Sequence, residues 1–141
     1  SMGLASSIGA GIAIKNPKKR IFIFDGDGNI LMNLGSLVTI GSLKPKNLVH
    51  IVFDNNSHES TGSQPTSSSK INLGNIAKNT HYNVFTIKTK EKLITILKKI
   101  KNEKGPIFLL IKISTSKERS KRVSWKTTTM RDRFMKSLQN N

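Results

Sequence analysis

The chain has 141 residues, no cysteine, and a formal net charge of +16 from 24 Lys and Arg against 8 Asp and Glu. That length bounds one domain with a real core and is short for a two-domain enzyme. Without cysteine there are no disulfides, thiolate metal sites or cysteine nucleophiles, and no apolar run reaches the roughly 18 residues of a membrane span.

Residues 4–15 place Leu4, Ala5, Ile8 and Ile12 at helical spacing, with small Gly and Ala between them that would allow close packing against a sheet. The stretch lacks a basic leader and a processing site, so no secretory signal is read there and a cytoplasmic protein is expected. Asn16-Pro17-Lys18-Lys19-Arg20 ends the helix and turns the chain. A strand is predicted at 21–24, then the Gly26-Asp27-Gly28 loop, then a helix from about Asn29 to Ser42. Lys44 to Asn47 turns the chain into a second strand at 48–53. Both strands are short, rich in β-branched and aromatic residues, and stop at carboxylates or amides, as buried parallel strands do at a binding edge.

The loop 54–70 is polar and rich in Ser, Thr, Gly and Asn, either disordered or ordered by what it binds. Beyond it the pattern predicts a short helix at Asn72–Thr80, a strand at Asn83–Ile87, and a helix at Lys90–Lys101 with Leu93, Ile94, Leu97 and Ile100 on one face. A buried strand at Pro106–Ile113 and a basic segment 114–141, with a short helix around Thr129–Leu138, complete the chain. No internal repeat is present. The alternation predicts an α/β fold, a three-layer parallel sheet with helices on both faces, binding ligands beyond the carboxyl ends of its strands.

Lys112 to Lys136 holds nine Lys or Arg against only Glu118 and Asp132. Trp125 and Phe134 are the only aromatics there that could stack on bases, and no nucleic-acid module is present, so the segment reads as a solvated basic surface. Nucleic acid is not an expected partner, and neither is a membrane. His50, inside an apolar strand, and His81, beside Tyr82, read as structural. There is no Ser-His-Asp order and no paired-carboxylate hydrolase pattern. What remains is the pair of strand ends. Asp27 offers a carboxylate and Asn56 a side-chain carbonyl, hard donors for Mg²⁺ or Ca²⁺, while Gly26 and Gly28 let backbone approach an anion. The chemistry suggested is a diphosphate held through a divalent metal.

Gly26-Asp27-Gly28, separated by 26 residues from Asn55-Asn56, resembles the thiamine diphosphate signature. The flanking Leu31-Met32-Asn33-Leu34-Gly35-Ser36-Leu37 and Ser57-His58-Glu59-Ser60-Thr61-Gly62-Ser63-Gln64-Pro65-Thr66 look like the diphosphate-binding domain of the phosphonopyruvate decarboxylases, with sulfopyruvate decarboxylase β subunits as near relatives. The resemblance runs from residue 1 to about Ile113, and Ser63 departs from it where the related loops usually carry Gly.

The resemblance implies that Asp27 and Asn56 bind Mg²⁺ through their side chains and His58 through its backbone carbonyl. It implies that Gly26, Gly28, Asn29 and Ile30 lie against the diphosphate, and that Met2 is the apolar wedge beneath the cofactor. The implied activity is thiamine diphosphate-dependent decarboxylation of a 2-oxo acid, phosphonopyruvate before sulfopyruvate because the wording of residues 58–62 is nearer to that branch. The activating glutamate comes, in these enzymes, from a pyrimidine-binding domain, so a partner domain or subunit and a homo- or hetero-oligomer are expected. The chain's own catalytic residues stay unknown, with His58 as a candidate substrate contact. Because Ser1-Met2-Gly3 starts inside a family motif, domain 1–113 is expected to be N-terminally truncated, as a fragment, a shortened β subunit or a decayed reading frame. A non-catalytic domain that kept the cofactor site is the alternative of a different class.

Overall fold

The computed structural model describes residues 2–115 and 121–139; Ser1 of the opening motif, and residues 116–120 and 140–141 of the basic segment, lie outside them. Helix α1 (Ala5–Lys15) leads to strand β1 (Ile21–Gly26), helices α2 (Asp27–Leu31) and α3 (Gly35–Leu43), and strand β2 (Leu48–Asp54). A small hairpin, β3 (Ser57–His58) and β4 (Gln64–Pro65), and a 3₁₀ turn at Ser67–Ser69 follow. Helix α4 (Leu73–Asn79), strand β5 (Asn83–Ile87), helix α5 (Lys90–Ile100), strand β6 (Ile107–Lys112) and helix α6 (Thr127–Gln139) complete the order.

Four strands form one parallel sheet in the order β1-β2-β6-β5. The inner pair, β2 and β6, is buried over Leu48–Val52 and Ile107–Ile111, which is why those segments read as unbroken apolar runs. On one face α1, α3 and α4 bring Ala13, Leu37, Ile40, Leu73 and Ala77 against Ile23, Val52, Phe108 and Leu110. On the other, α5 lays Ile96 and Ile100 over Val49, Ile51, Ile107 and Leu109. The result is the three-layer α/β arrangement expected. The second face is covered unevenly: Phe22 and Phe24 on β1 are 47% and 66% exposed, with Phe24 stacked on Phe53 at 6.2 Å. No helix among the described residues is long and apolar enough to cross a membrane.

One expectation holds and two need correction. In α1 the inward residues are Ser6, Gly9, Ala10 and Ala13, while Leu4 and Ile8 stay exposed. The small residues face in because α1 lies close to β1: a Cβ on Gly9 would overlap Ile23. In α5 it is Ile96, with Ile100 and the half-buried Leu93, that meets the sheet, and Ile94 and Leu97 are largely exposed. The single helix expected over 29–42 is instead two. Residues 32–34 tighten into i→i−3 bonding, with Met32 N–H donating to Asn29 O at 3.2 Å and Leu37 N–H to Leu34 O at 3.0 Å. The Asn33 amide donates to Gly3 O at 3.2 Å, and the Ser36 hydroxyl donates to Asn33 O at 2.8 Å. A tertiary contact therefore breaks the helix that local periodicity would have continued.

Helix α6 is tied back by Lys19, whose Nζ donates to Ser137 O at 2.9 Å, and the Arg133 guanidinium lies 3.9 Å over the Trp125 ring. In the core, Tyr82 meets Phe108 edge-on at 5.8 Å, but its buried hydroxyl finds no partner among the described residues. Burial accordingly pushes its phenol well above the usual range. Tyr82→Phe removes a desolvated hydroxyl and keeps the ring, so thermal denaturation is expected to show equal or greater stability, by up to about 1 kcal/mol. A clear loss would mean that the hydroxyl is satisfied.

Candidate functional site

β1 and β2 run parallel with Gly26 opposite Phe53, so their carboxyl ends release two segments side by side. Gly26 is the last residue of β1 and Asp27 the first of α2, which makes the strand-to-helix transition direct where a loop was expected. The two glycines differ in surroundings. A Cβ on Gly26 would stand in open space, whereas one on Gly28 would drive into the His58 ring. Gly28 is thus what allows the β3 arm to lie over α2.

Between these segments is a cleft of about 330 Å³, bordered by Met2, Gly26, Asp27, Gly28, Asn29 and His58. A larger groove of about 470 Å³ between α1, β1 and α6 is bordered by Ile8, Phe22, Phe134 and Leu138, with Lys19 and Arg20 but no carboxylate. The oxygen donors lie at the first cleft, and the chemistry is assigned there.

Asn56 does not border the cleft; it is exposed and turns the chain just beyond β2. Its φ of 57° is left-handed, a conformation Asn tolerates, and its N–H donates to Asp54 Oδ1 at 3.1 Å. Three side-chain oxygens then converge on the Ser68 hydroxyl: Asp27 Oδ2 at 3.0 Å, Asp54 Oδ1 at 2.9 Å and Asn56 Oδ1 at 3.0 Å. The Thr66 hydroxyl donates to Asp27 Oδ2 at 2.5 Å, and the Lys112 ammonium pairs with Asp54 Oδ2. Asp27, Asp54, Thr66 and Ser68 are all buried.

This donor set is the observation against which a metal-bound diphosphate is tested. A hydroxyl has one proton and cannot satisfy three acceptors, so the cluster is rich in oxygen lone pairs and short of positive charge, as a hard-cation site is. Among the described residues no group of three or more His, Cys, Asp or Glu could hold a metal; a hard cation here would be held by the Asp27 carboxylate and the Asn56 side-chain carbonyl. The residues fit the cofactor.

The remaining candidates are placed as follows. Met2 is 44% exposed at the cleft's rim. Asn29 Oδ1 accepts the Gly3 N–H at 2.5 Å while its amide donates to Asp25, so it joins the two segments that carry Met2 and Gly26. Ile30 buries its side chain in the core, leaving only its backbone for a ligand. The His58 carbonyl accepts from Thr61 N–H at 3.2 Å and Ser63 N–H at 3.0 Å, which commits it to a turn, while its imidazole packs on Gly28. Ser63 closes that turn at φ 60°, the left-handed region that favours the glycine of related loops.

Sequence reasoning did not single out Ser68, Lys112 or the buried pair beneath the cleft. His50 Nε2 donates to Asp25 Oδ2 at 2.9 Å with both side chains fully buried, and Asp25 Oδ1 also accepts the Gly26 N–H at 2.8 Å. One signal was available: Asp25 alternates with Ile23 and so takes an inward position, where a carboxylate must have a partner.

Residues 1–111 match the family described as "Thiamine pyrophosphate enzyme, C-terminal TPP binding domain". The chain is 38% identical over 139 residues to the sulfopyruvate decarboxylase subunit beta of Methanocaldococcus jannaschii, covering 98% of this chain and 73% of that one. It is 48% identical over 77 residues to a phosphonopyruvate decarboxylase of Streptomyces viridochromogenes, covering 55% of this chain and 19% of the relative. In fold it is similar to the transketolase of Campylobacter jejuni, with a TM-score of 0.65 at 17% identity over 79% of this chain and 20% of that one.

Proposed function

Because the chain belongs to the thiamine pyrophosphate enzymes, through their C-terminal TPP-binding domain, we propose that it is the diphosphate-binding part of a 2-oxo acid decarboxylase acting on phosphonopyruvate. The observation that carries this reading is the meeting of Asp27 and Asn56 oxygens at the buried Ser68 hydroxyl, near a cleft bordered by Gly26 and Gly28. Bound there, thiamine diphosphate supplies the electron sink that lets a 2-oxo acid lose CO₂.

The chain's own share is binding and orientation. Asp27 and Asn56 hold the Mg²⁺ that neutralises the phosphates, and Gly26 leaves room for backbone to approach them. Met2 forms the apolar support, and Asn29 fixes that support to α2 through Gly3. His58, resting on Gly28, stands at the cleft to meet the substrate's anionic end. A pyrimidine-binding domain or subunit supplies the glutamate, which the naming of relatives as "subunit beta" supports.

A second reading, the β subunit of a sulfopyruvate decarboxylase, is favoured by one observation: the Methanocaldococcus relative matches along 98% of this chain, the Streptomyces one along 55%. The test is CO₂ release from each acid by the purified chain with thiamine diphosphate, Mg²⁺ and a complementary pyrimidine-binding chain. Faster release from phosphonopyruvate is expected. Faster release from sulfopyruvate installs the second reading, and none from either leaves a cofactor-binding domain without turnover.

A further inference from the structure

Ser68 comes 12 residues after Asn56 and 41 after Asp27, outside the residues that define the family signature, yet its hydroxyl lies at the centre of the oxygen cluster. Besides the three acceptors already described, its Oγ lies 2.8 Å from Thr66 Oγ1. Thr66 in turn caps the 3₁₀ turn that carries Ser68, accepting the Ser68 N–H at 3.3 Å. Both residues are 4% exposed, so this hydroxyl pair is shielded from bulk water. Asp27 Oδ2 is held by the two hydroxyls, and its other oxygen takes no hydrogen bond among the described residues.

We propose that Ser68 is a positioning residue of the cation site, holding Asp27 and Asn56 in one orientation so that both present an oxygen to the same ion. The inference rests on the cofactor reading above and extends it to a residue outside the signature. An unrestrained Asp or Asn side chain at a strand end samples several orientations, and a cation must then select the right one in both at once. A buried hydroxyl within 3.0 Å of an oxygen from each, sharing its one proton between them, narrows that selection. Asp54 supports the arrangement rather than competing for the ion, since Lys112 already neutralises it and its Oδ1 faces Ser68 and the Asn56 N–H. Partners that orient metal ligands typically contribute ten- to a hundredfold in affinity.

The test is calorimetric titration of the full 141-residue chain with thiamine diphosphate over a Mg²⁺ series, for the unsubstituted protein, Ser68→Ala and Ser68→Cys. Cysteine keeps the side-chain length with a much weaker donor, so the two variants bracket the loss of the hydroxyl. Both are expected to raise the Mg²⁺ concentration at half-saturation roughly ten- to a hundredfold, with cofactor affinity restored at high Mg²⁺ and the thermal midpoint of the free protein little changed. Half-saturation at the same Mg²⁺ in all three overturns the proposal while leaving the cofactor reading intact. Weakening that no Mg²⁺ concentration restores, in step with a lowered thermal midpoint, also overturns it, by making the role structural. Should the unsubstituted chain itself fail to bind, the cofactor reading falls first and this proposal with it.

Discussion

Asp27→Ala is expected to abolish Mg²⁺-dependent binding of thiamine diphosphate, weakening it at least about a hundredfold, equal to about 2.8 kcal/mol. Three effects act together. The substitution removes the cluster's anionic ligand at the cleft, the carboxylate that neutralises a hard ion most strongly. It leaves Asn56, a neutral donor, to hold the ion, and it frees the Thr66 and Ser68 hydroxyls to bond elsewhere. The fold should not suffer. Asp27 and Asp54 both lie 3.0 Å or less from Ser68 Oγ, so removing one carboxylate relieves repulsion between them. The expected pair of results is lost binding in calorimetry and an equal or higher thermal midpoint. Undiminished binding by the variant would remove Asp27 from the site.

Asp25→Ala is expected to have the opposite signature, a loss of roughly 3 kcal/mol of stability, as for removing one member of a buried pair. The carboxylate satisfies His50 Nε2, the Gly26 N–H and the Asn29 amide, and each would be stranded. His50 would suffer most, because its Nδ1 already finds no partner among the described residues. Asp25→Asn keeps an acceptor for Gly26 and Asn29 and forces His50 to change tautomer, so it should cost less than the alanine. Urea denaturation of the two variants checks the order. Equal midpoints for Asp25→Ala and the unsubstituted chain would show that the pair contributes nothing net.

What could be read beforehand follows from where the physics is local. β2 and β6 were legible because burial on both faces demands apolar runs, and such runs stand out in any order of residues. The two strand ends were legible because an apolar run that stops just short of Asp27 or Asn56 carries an oxygen donor beyond the sheet's carboxyl edge. The outward side of α1 was not, since periodicity marks Leu4 and Ile8, which stay exposed while the small Gly9 and Ala13, read as allowing close packing, meet the sheet. Nor was the break between α2 and α3, where the deciding hydrogen bond runs from Asn33 to Gly3, 30 residues away in the chain. Ser68 was hidden for another reason. In a loop crowded with Ser and Thr, nothing local distinguishes the hydroxyl that meets two carboxylates from those that meet water.

The stacking of Arg133 on Trp125 has a practical consequence for spectroscopy. Trp125 is the only tryptophan in the chain, is 49% exposed and has a guanidinium over its ring, so its emission reports on the segment leading into α6. It does not border the cofactor cleft. Fluorescence recorded during a cofactor titration would stay flat even at full occupancy, and a melting curve followed at that wavelength would report on the segment leading into α6 rather than on the sheet. Replacing Phe53, which borders the cleft, by tryptophan would move the probe to the proposed cofactor site.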